Sequence, residues 1–127
     1  MTWGTPVLRA AIRGYLETRW GAPTLDDTNV LPVVGTKELV AWLPTLLGLG
    51  PDDTIIIPAT AYPTYEVGAL MVGARVVLAE HAGDVAAESP ALVWTNSPST
   101  PTGRIATYEE TVDWVAYARA KGALLAA

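Results

Sequence analysis

Cysteine is absent from this 127-residue chain, and histidine occurs once. Lysine occurs only at Lys37 and Lys121. Each scarcity removes a class of function. Without cysteine there can be no disulfide and no thiolate metal site. The single histidine, His81, sits in a Gly- and Ala-rich stretch with no companion His or Cys, so no metal site is expected. The same scarcity weakens any Ser-His-Asp reading. Eight basic side chains face thirteen acidic ones, for a net charge of −5. A nucleic-acid surface needs the opposite balance, with clustered Lys and Arg, so no nucleic-acid partner is expected. No apolar run approaches the roughly 20 residues of a membrane span, and the N-terminus lacks the charged start and apolar stretch of a signal peptide. The expectation is a soluble, cytoplasmic protein with no membrane partner.

Hydrophobic residues make up 50% of the chain and charged residues 17%, enough for one domain with a real core. Helix and strand patterns alternate. Thr5 suits an N-cap with Pro6 at the first helical position. Leu8, Ile12, Tyr15 and Leu16 follow at helical spacing until Gly21. Residues 22–28 read as a loop. Val30–Val34 reads as a short apolar strand interrupted by Pro32. Leu39, Val40, Leu43, Leu46 and Leu47 restore helical spacing, with Pro44 expected to kink the helix. Thr54–Ile57 is a buried-strand signal, Thr64–Val72 a helix, and Arg75–Ala79 and Ala91–Thr95 further strands. Thr107 and Glu110 make a capping-box pattern at the head of a helix ending at Gly122, and Ala123–Ala127 opens another strand. Continuous apolar strands between amphipathic helices predict an α/β protein: a three-layer αβα sandwich on a mostly parallel sheet.

Three loops carry candidate chemistry. Gly35-Thr36-Lys37 opens a helix, where outward N–H groups and the helix dipole suit an anion; the plainer reading is a turn with Thr36 as N-cap. It lacks the spacing of the dinucleotide fingerprint and of the P-loop, which disfavours a nucleotide-binding Rossmann domain. Tyr62-Pro63-Thr64-Tyr65 follows the 54–57 strand, and ligands of α/β sheets bind beyond strand carboxyl ends. There an aromatic ring could stack on a flat heterocycle, or both tyrosines could pack under the next helix. Asn96-Ser-Pro-Ser-Thr-Pro-Thr-Gly103 follows the next strand and presents short polar side chains from a proline-constrained loop. The peptide before Pro101 is a candidate cis bond. The alternative is a proline-rich turn leading into the last helix. Asp26-Asp27 and Asp52-Asp53 fit turns and caps. Trp42 and Trp114 fit helix surfaces facing a core or a partner.

Taken together, the order and spacing of these loops resemble the fold-type I, pyridoxal-phosphate-dependent aminotransferases of class I/II. Leu31–Gly50 looks most like the succinyldiaminopimelate aminotransferase branch, and Ala61–Gly68 and Asn96–Gly103 agree with it. The resemblance implies that Gly35, Thr36 and Lys37 hold the cofactor phosphate, that Tyr62 stacks on the pyridine ring, and that Thr100 meets the ring's 3-oxygen. The family usually has asparagine at that last position. A threonine hydroxyl can donate a hydrogen bond but reaches less far, so a weaker or water-bridged contact is expected. The resemblance also implies an amino-acid/oxo-acid substrate pair in lysine biosynthesis and a homodimer for the intact enzyme. The aspartate that pairs with the pyridine nitrogen, the cofactor-holding lysine and the substrate-carboxylate arginine have no counterpart within these 127 residues. No catalytic residue is therefore assigned. The chain is expected to be part of the large, cofactor-binding domain, without the small domain, and inactive alone. A non-catalytic cofactor- or partner-binding remnant and one half of a split enzyme stay open as alternatives.

Overall fold

A computed structural model of the chain describes residues 3–22 and 25–127. The chain divides into two compact units, Met1–Thr36 and Lys37–Ala127.

In the first unit, α1 spans Pro6–Trp20. Its ends follow the sequence signals. The Thr5 side chain accepts from Leu8 N, and Pro6 supplies a fixed φ at the first turn. Gly21 adopts the left-handed conformation (φ 60°) that ends the helix, a conformation glycine takes without steric cost. The chain after α1 is held by arginines. Arg13 donates to the Leu25 carbonyl at 3.2 Å, and Arg9 and Arg13 both pair with Asp27. Asp26 closes its own turn by accepting from the Thr28 hydroxyl at 2.6 Å and from Thr28 N at 2.7 Å. These two bonds favour the charged carboxylate and lower its pKa. The strand expected over Val30–Val34 is not formed; those residues run as loop. Pro32 offers no N–H to a ladder. Its ring instead packs on Gly4 (φ 71°), where an added Cβ would come within 2.7 Å of Pro32 Cγ.

The second unit is built on a four-stranded sheet of order β2-β1-β3-β4, with β1 Thr54–Ile57, β2 Arg75–Leu78, β3 Leu92–Trp94 and β4 Leu124–Ala126. Every pairing is parallel, with Ile55 opposite both Val76 and Leu92, and Val93 opposite Leu125. The alternation of strand side chains divides the core in two. Ile55, Ile57, Leu92 and Trp94 point to one face and pack with Ala69 of α3 (Thr64–Met71) and with Val40 and Leu43 of α2 (Thr36–Leu46). Ile56 and Val93 point to the other face and meet Trp114 and Tyr117 of α4 (Tyr108–Lys121). This is the helix–sheet–helix layering predicted from the sequence.

The helix α2 runs through Pro44, which is buried. Proline removes the donor that would reach the Val40 carbonyl one turn back. That carbonyl faces Gly68 of α3: a Cβ at residue 68 would lie 2.9 Å from Val40 O and 3.0 Å from Ala41 O. Glycine is what lets α3 approach the α2 backbone. In α4 the capping box forms as expected, with Thr107 accepting from Glu110 N and Glu110 accepting from Thr107 N. Gly122, at φ 66°, ends that helix.

Candidate functional site

The strand order places a site before any side chain is considered. From β1 the chain crosses through α3 to β2 on one side; from β3 it crosses through α4 to β4 on the other side and the other face. Connections therefore diverge between β1 and β3, and a crevice opens at the carboxyl ends of these neighbouring strands. The Tyr62 loop leaves the end of β1 and the Asn96–Gly103 loop leaves the end of β3, so these two sequence-predicted loops start from neighbouring strand ends. Gly35 and Thr36 close the first unit and Lys37 opens the second. Thr36 is the first residue of α2, inside the helix rather than at its cap.

The two tyrosines have separate fates. Tyr65 is half-buried, its ring 5.0 Å from that of Trp94, and burial raises its phenol pKa. It packs under the helix, as the plainer reading held for both. Tyr62 remains 38% exposed at the strand end. Its loop is anchored from the far end of β2, where Glu80 accepts from Thr60 N at 3.0 Å.

The Asn96–Gly103 loop is more constrained than its composition required. Both Ser97–Pro98 and Thr100–Pro101 are cis; the second was a sequence expectation and the first was not. With its amide oriented to satisfy both neighbours, Asn96 donates to Pro98 O at 3.2 Å and accepts from Thr100 N at 2.9 Å. Ser97 Oγ accepts from Ala106 N at 3.0 Å. Ser99 N donates to Arg104 O at 2.7 Å, and Gly103 N donates to Ser99 O at 2.6 Å. Thr100 is exposed, and its hydroxyl makes no hydrogen bond among the described residues.

Beside the loop lies a cavity of about 160 Å³ whose polar lining includes Glu80, Asn96, Ser97, Ser99, Arg104 and Glu110. Arg104 donates to both carboxylate oxygens of Glu110, at 2.9 and 3.2 Å. That guanidinium, followed by the Thr107 N–H, lowers the Glu110 pKa, and the pair raises that of Arg104. His81 Nδ1 lies 3.7 Å from the same carboxylate. His81 also takes part in a cap with Asp84 at the short 3₁₀ turn Ala82–Val85. Sequence reasoning missed Glu80, Arg104 and the bracing by Asn96. The capping box had already marked Glu110, and an arginine six residues earlier was the available signal for its partner.

The chain's second lysine, Lys121, donates to the Ala86 carbonyl at 2.8 Å from the C-terminal end of α4. Among the described residues no group of three or more His, Asp or Glu side chains could hold a metal ion, and no helix is long and apolar enough to cross a membrane.

Over residues 2–127 the chain matches the family of class I and II aminotransferases. It is 48% identical over 124 residues to a probable aminotransferase of Mycobacterium tuberculosis, covering 98% of this chain and 30% of that protein. It is 47% identical over 124 residues to the 4-dedimethylamino-4-oxo-anhydrotetracycline transaminase of Streptomyces rimosus, covering 98% of this chain and 34% of that one. The structure superimposes on a probable N-succinyldiaminopimelate aminotransferase from Thermus thermophilus with a TM-score of 0.78 at 25% identity, covering 92% of this chain and 34% of that one. The chain thus spans about a third of the length of the curated relatives it matches.

Proposed function

This chain belongs to the class I and II aminotransferase family, whose members are fold-type I enzymes dependent on pyridoxal phosphate, and we propose that it forms the cofactor-cradling part of a transaminase of lysine biosynthesis. In this reading the amino acceptor is N-succinyl-2-amino-6-oxopimelate and glutamate is the donor. The observation that supports it is that the Tyr62 and Asn96–Gly103 loops follow the carboxyl ends of the adjacent parallel strands β1 and β3. The residues present suit the cofactor chemically. Gly35, Thr36 and Lys37, at the N-terminal end of α2, offer backbone N–H groups, a hydroxyl and a positive charge to a phosphate. Tyr62 offers an exposed aromatic face to the ring, and Thr100 an unengaged hydroxyl to its 3-oxygen. When bound, pyridoxal phosphate supplies the electron sink of transamination. This chain's residues bind and orient it; in this reading the lysine that holds it covalently is neither Lys37 nor Lys121.

The test is to mix the 127-residue chain with pyridoxal phosphate, follow binding by protein fluorescence, reduce with borohydride and map adducts by mass spectrometry. Saturable binding is expected, with no stoichiometric modification of Lys37 or Lys121. A specific adduct at either lysine, or transamination by the chain alone at a normal rate, would sink the reading. A second reading, a transaminase for a polycyclic ketone, is favoured by the 47% identity to the Streptomyces rimosus enzyme. Amino transfer to each acceptor by the chain joined to the remaining two thirds of a relative separates the two.

A further inference from the structure

We infer that Asn96 is a positioning residue that sets the Thr100 hydroxyl for the cofactor ring; the inference rests on the cofactor reading above. Pro98 and Pro101 have no N–H, so the loop that carries Thr100 cannot close itself with an ordinary ladder of backbone bonds. The Ser99 N–H is committed to Arg104 O and the Gly103 N–H to Ser99 O. Ser97 Oγ holds the return of the chain at Ala106 N. These bonds tie the two limbs of the loop and leave its tip, Thr100 to Thr102, exposed.

Within the tip Thr102 Oγ1 accepts from Arg104 N at 3.3 Å, and the side chain that reaches Thr100 is that of Asn96. Its amide spans two and four residues ahead, donating to Pro98 O and accepting from Thr100 N. The amide is half-buried beside the cavity, and both its ends are used. The consequence falls on Thr100. A β-branched side chain is stiff at χ1, so holding the backbone of residue 100 confines its hydroxyl to a small set of directions. The family position usually occupied by a longer amide is here occupied by a short hydroxyl, which cannot make up a misplacement by stretching. Asn96 therefore supplies the placement that the shorter side chain needs.

The test uses the full chain as wild type, Asn96→Ala, Asn96→Asp and Thr100→Val. Each is titrated with pyridoxal 5′-phosphate and with its 3-deoxy analogue, and Thr100 amide exchange is read by NMR. The wild type is expected to prefer the 3-oxygen by about fivefold, the scale of one modest hydrogen bond. Thr100→Val should abolish that preference. Asn96→Ala should reduce it nearly as far and speed Thr100 amide exchange roughly tenfold. Asn96→Asp keeps an acceptor for Thr100 N and should retain part of both. A merely structural role would weaken the two ligands equally and leave their ratio unchanged. An unchanged ratio in Asn96→Ala overturns the proposal, as does a Thr100 amide already unprotected in the wild type. Wild type that binds neither compound while its Thr100 amide is protected would instead reject the cofactor reading and uphold the hold of Asn96 on Thr100.

Discussion

Replacing Gly68 by alanine should destabilise the protein, although alanine is the better helix former. Residue 68 lies inside α3, and there the exchange alone favours alanine by about 1 kcal/mol. Against this stands the α2 backbone, 2.9 Å (Val40 O), 3.0 Å (Ala41 O) and 3.3 Å (Ala41 Cα) from the new methyl group. All three are backbone atoms, so no side chain can rotate away; the two helices must separate by several tenths of an ångström. Overpacking of this kind costs about 1–3 kcal/mol. The upper part of that range applies, because moving α2 also disturbs Val40 and Leu43 against the sheet. The net loss is about 1–2 kcal/mol, and for a unit of this size each kcal/mol lowers the melting temperature by about 4–8 °C. Gly14→Ala is the matched control, since that glycine lies inside α1 with nothing within 4 Å of the added methyl. Thermal melts followed by circular dichroism and urea titrations would compare the two. Gly14→Ala should keep or raise stability, and Gly68→Ala should lower it. A Gly68→Ala protein as stable as wild type would refute the close approach of α3 to α2.

Tyr62→Ala should weaken pyridoxal-phosphate binding about five- to tenfold while Tyr62→Phe leaves it near wild type, as stacking requires; equal losses in a fluorescence titration would point to the hydroxyl instead. Thr100→Asn should tighten cofactor binding, again by a few-fold, about the worth of one better-placed hydrogen bond; no gain would count against the weak contact assigned to the threonine. The Glu110 carboxyl is depressed by Arg104 and then by Thr107 N–H. Its contribution to stability is therefore fully present above the ordinary glutamate value of about 4.3. It is lost as the pH falls through the lowered folded value. An NMR titration should find Glu110 moving up toward the ordinary range in Arg104→Ala; an unchanged midpoint would show that the ion pair is not formed in solution.

Much of the architecture could be read from residues alone, because the relevant signals are local. Thr5-Pro6 and Thr107 with Glu110 cap helices through bonds made within one turn, and Gly21 and Gly122 end them through a conformation that glycine readily adopts. The sequence marks the Thr54–Ile57 strand at its observed bounds, since a short β-branched run between Asp52-Asp53 and Pro58 leaves little ambiguity. Val30–Val34 failed because apolar character does not provide a partner strand, and Pro32 removes a donor from the middle. At the site, the two loops at the strand ends were legible and their bracing was not. The bonds from Thr100 N to Asn96, from Thr60 N to Glu80 and from Arg104 to Glu110 depend on how turns fold back. No spacing rule encodes that. The split between Tyr62 and Tyr65 needed the same information, because only the helix orientation decides which ring meets Trp94.

The division of the core by the sheet also gives the molecule its own optical probes. Trp94 is buried with the α2 and α3 layer and Trp114 with the α4 layer, at 6% and 8% exposure, while Trp3, Trp20 and Trp42 are 65%, 64% and 51% exposed. A water-borne quencher such as iodide should therefore extinguish three indoles at once and spare two. With Trp3, Trp20 and Trp42 changed to phenylalanine, the remaining emission would come from one indole on each side of the sheet. Removing either of those two in turn would show whether the layers melt together or one before the other.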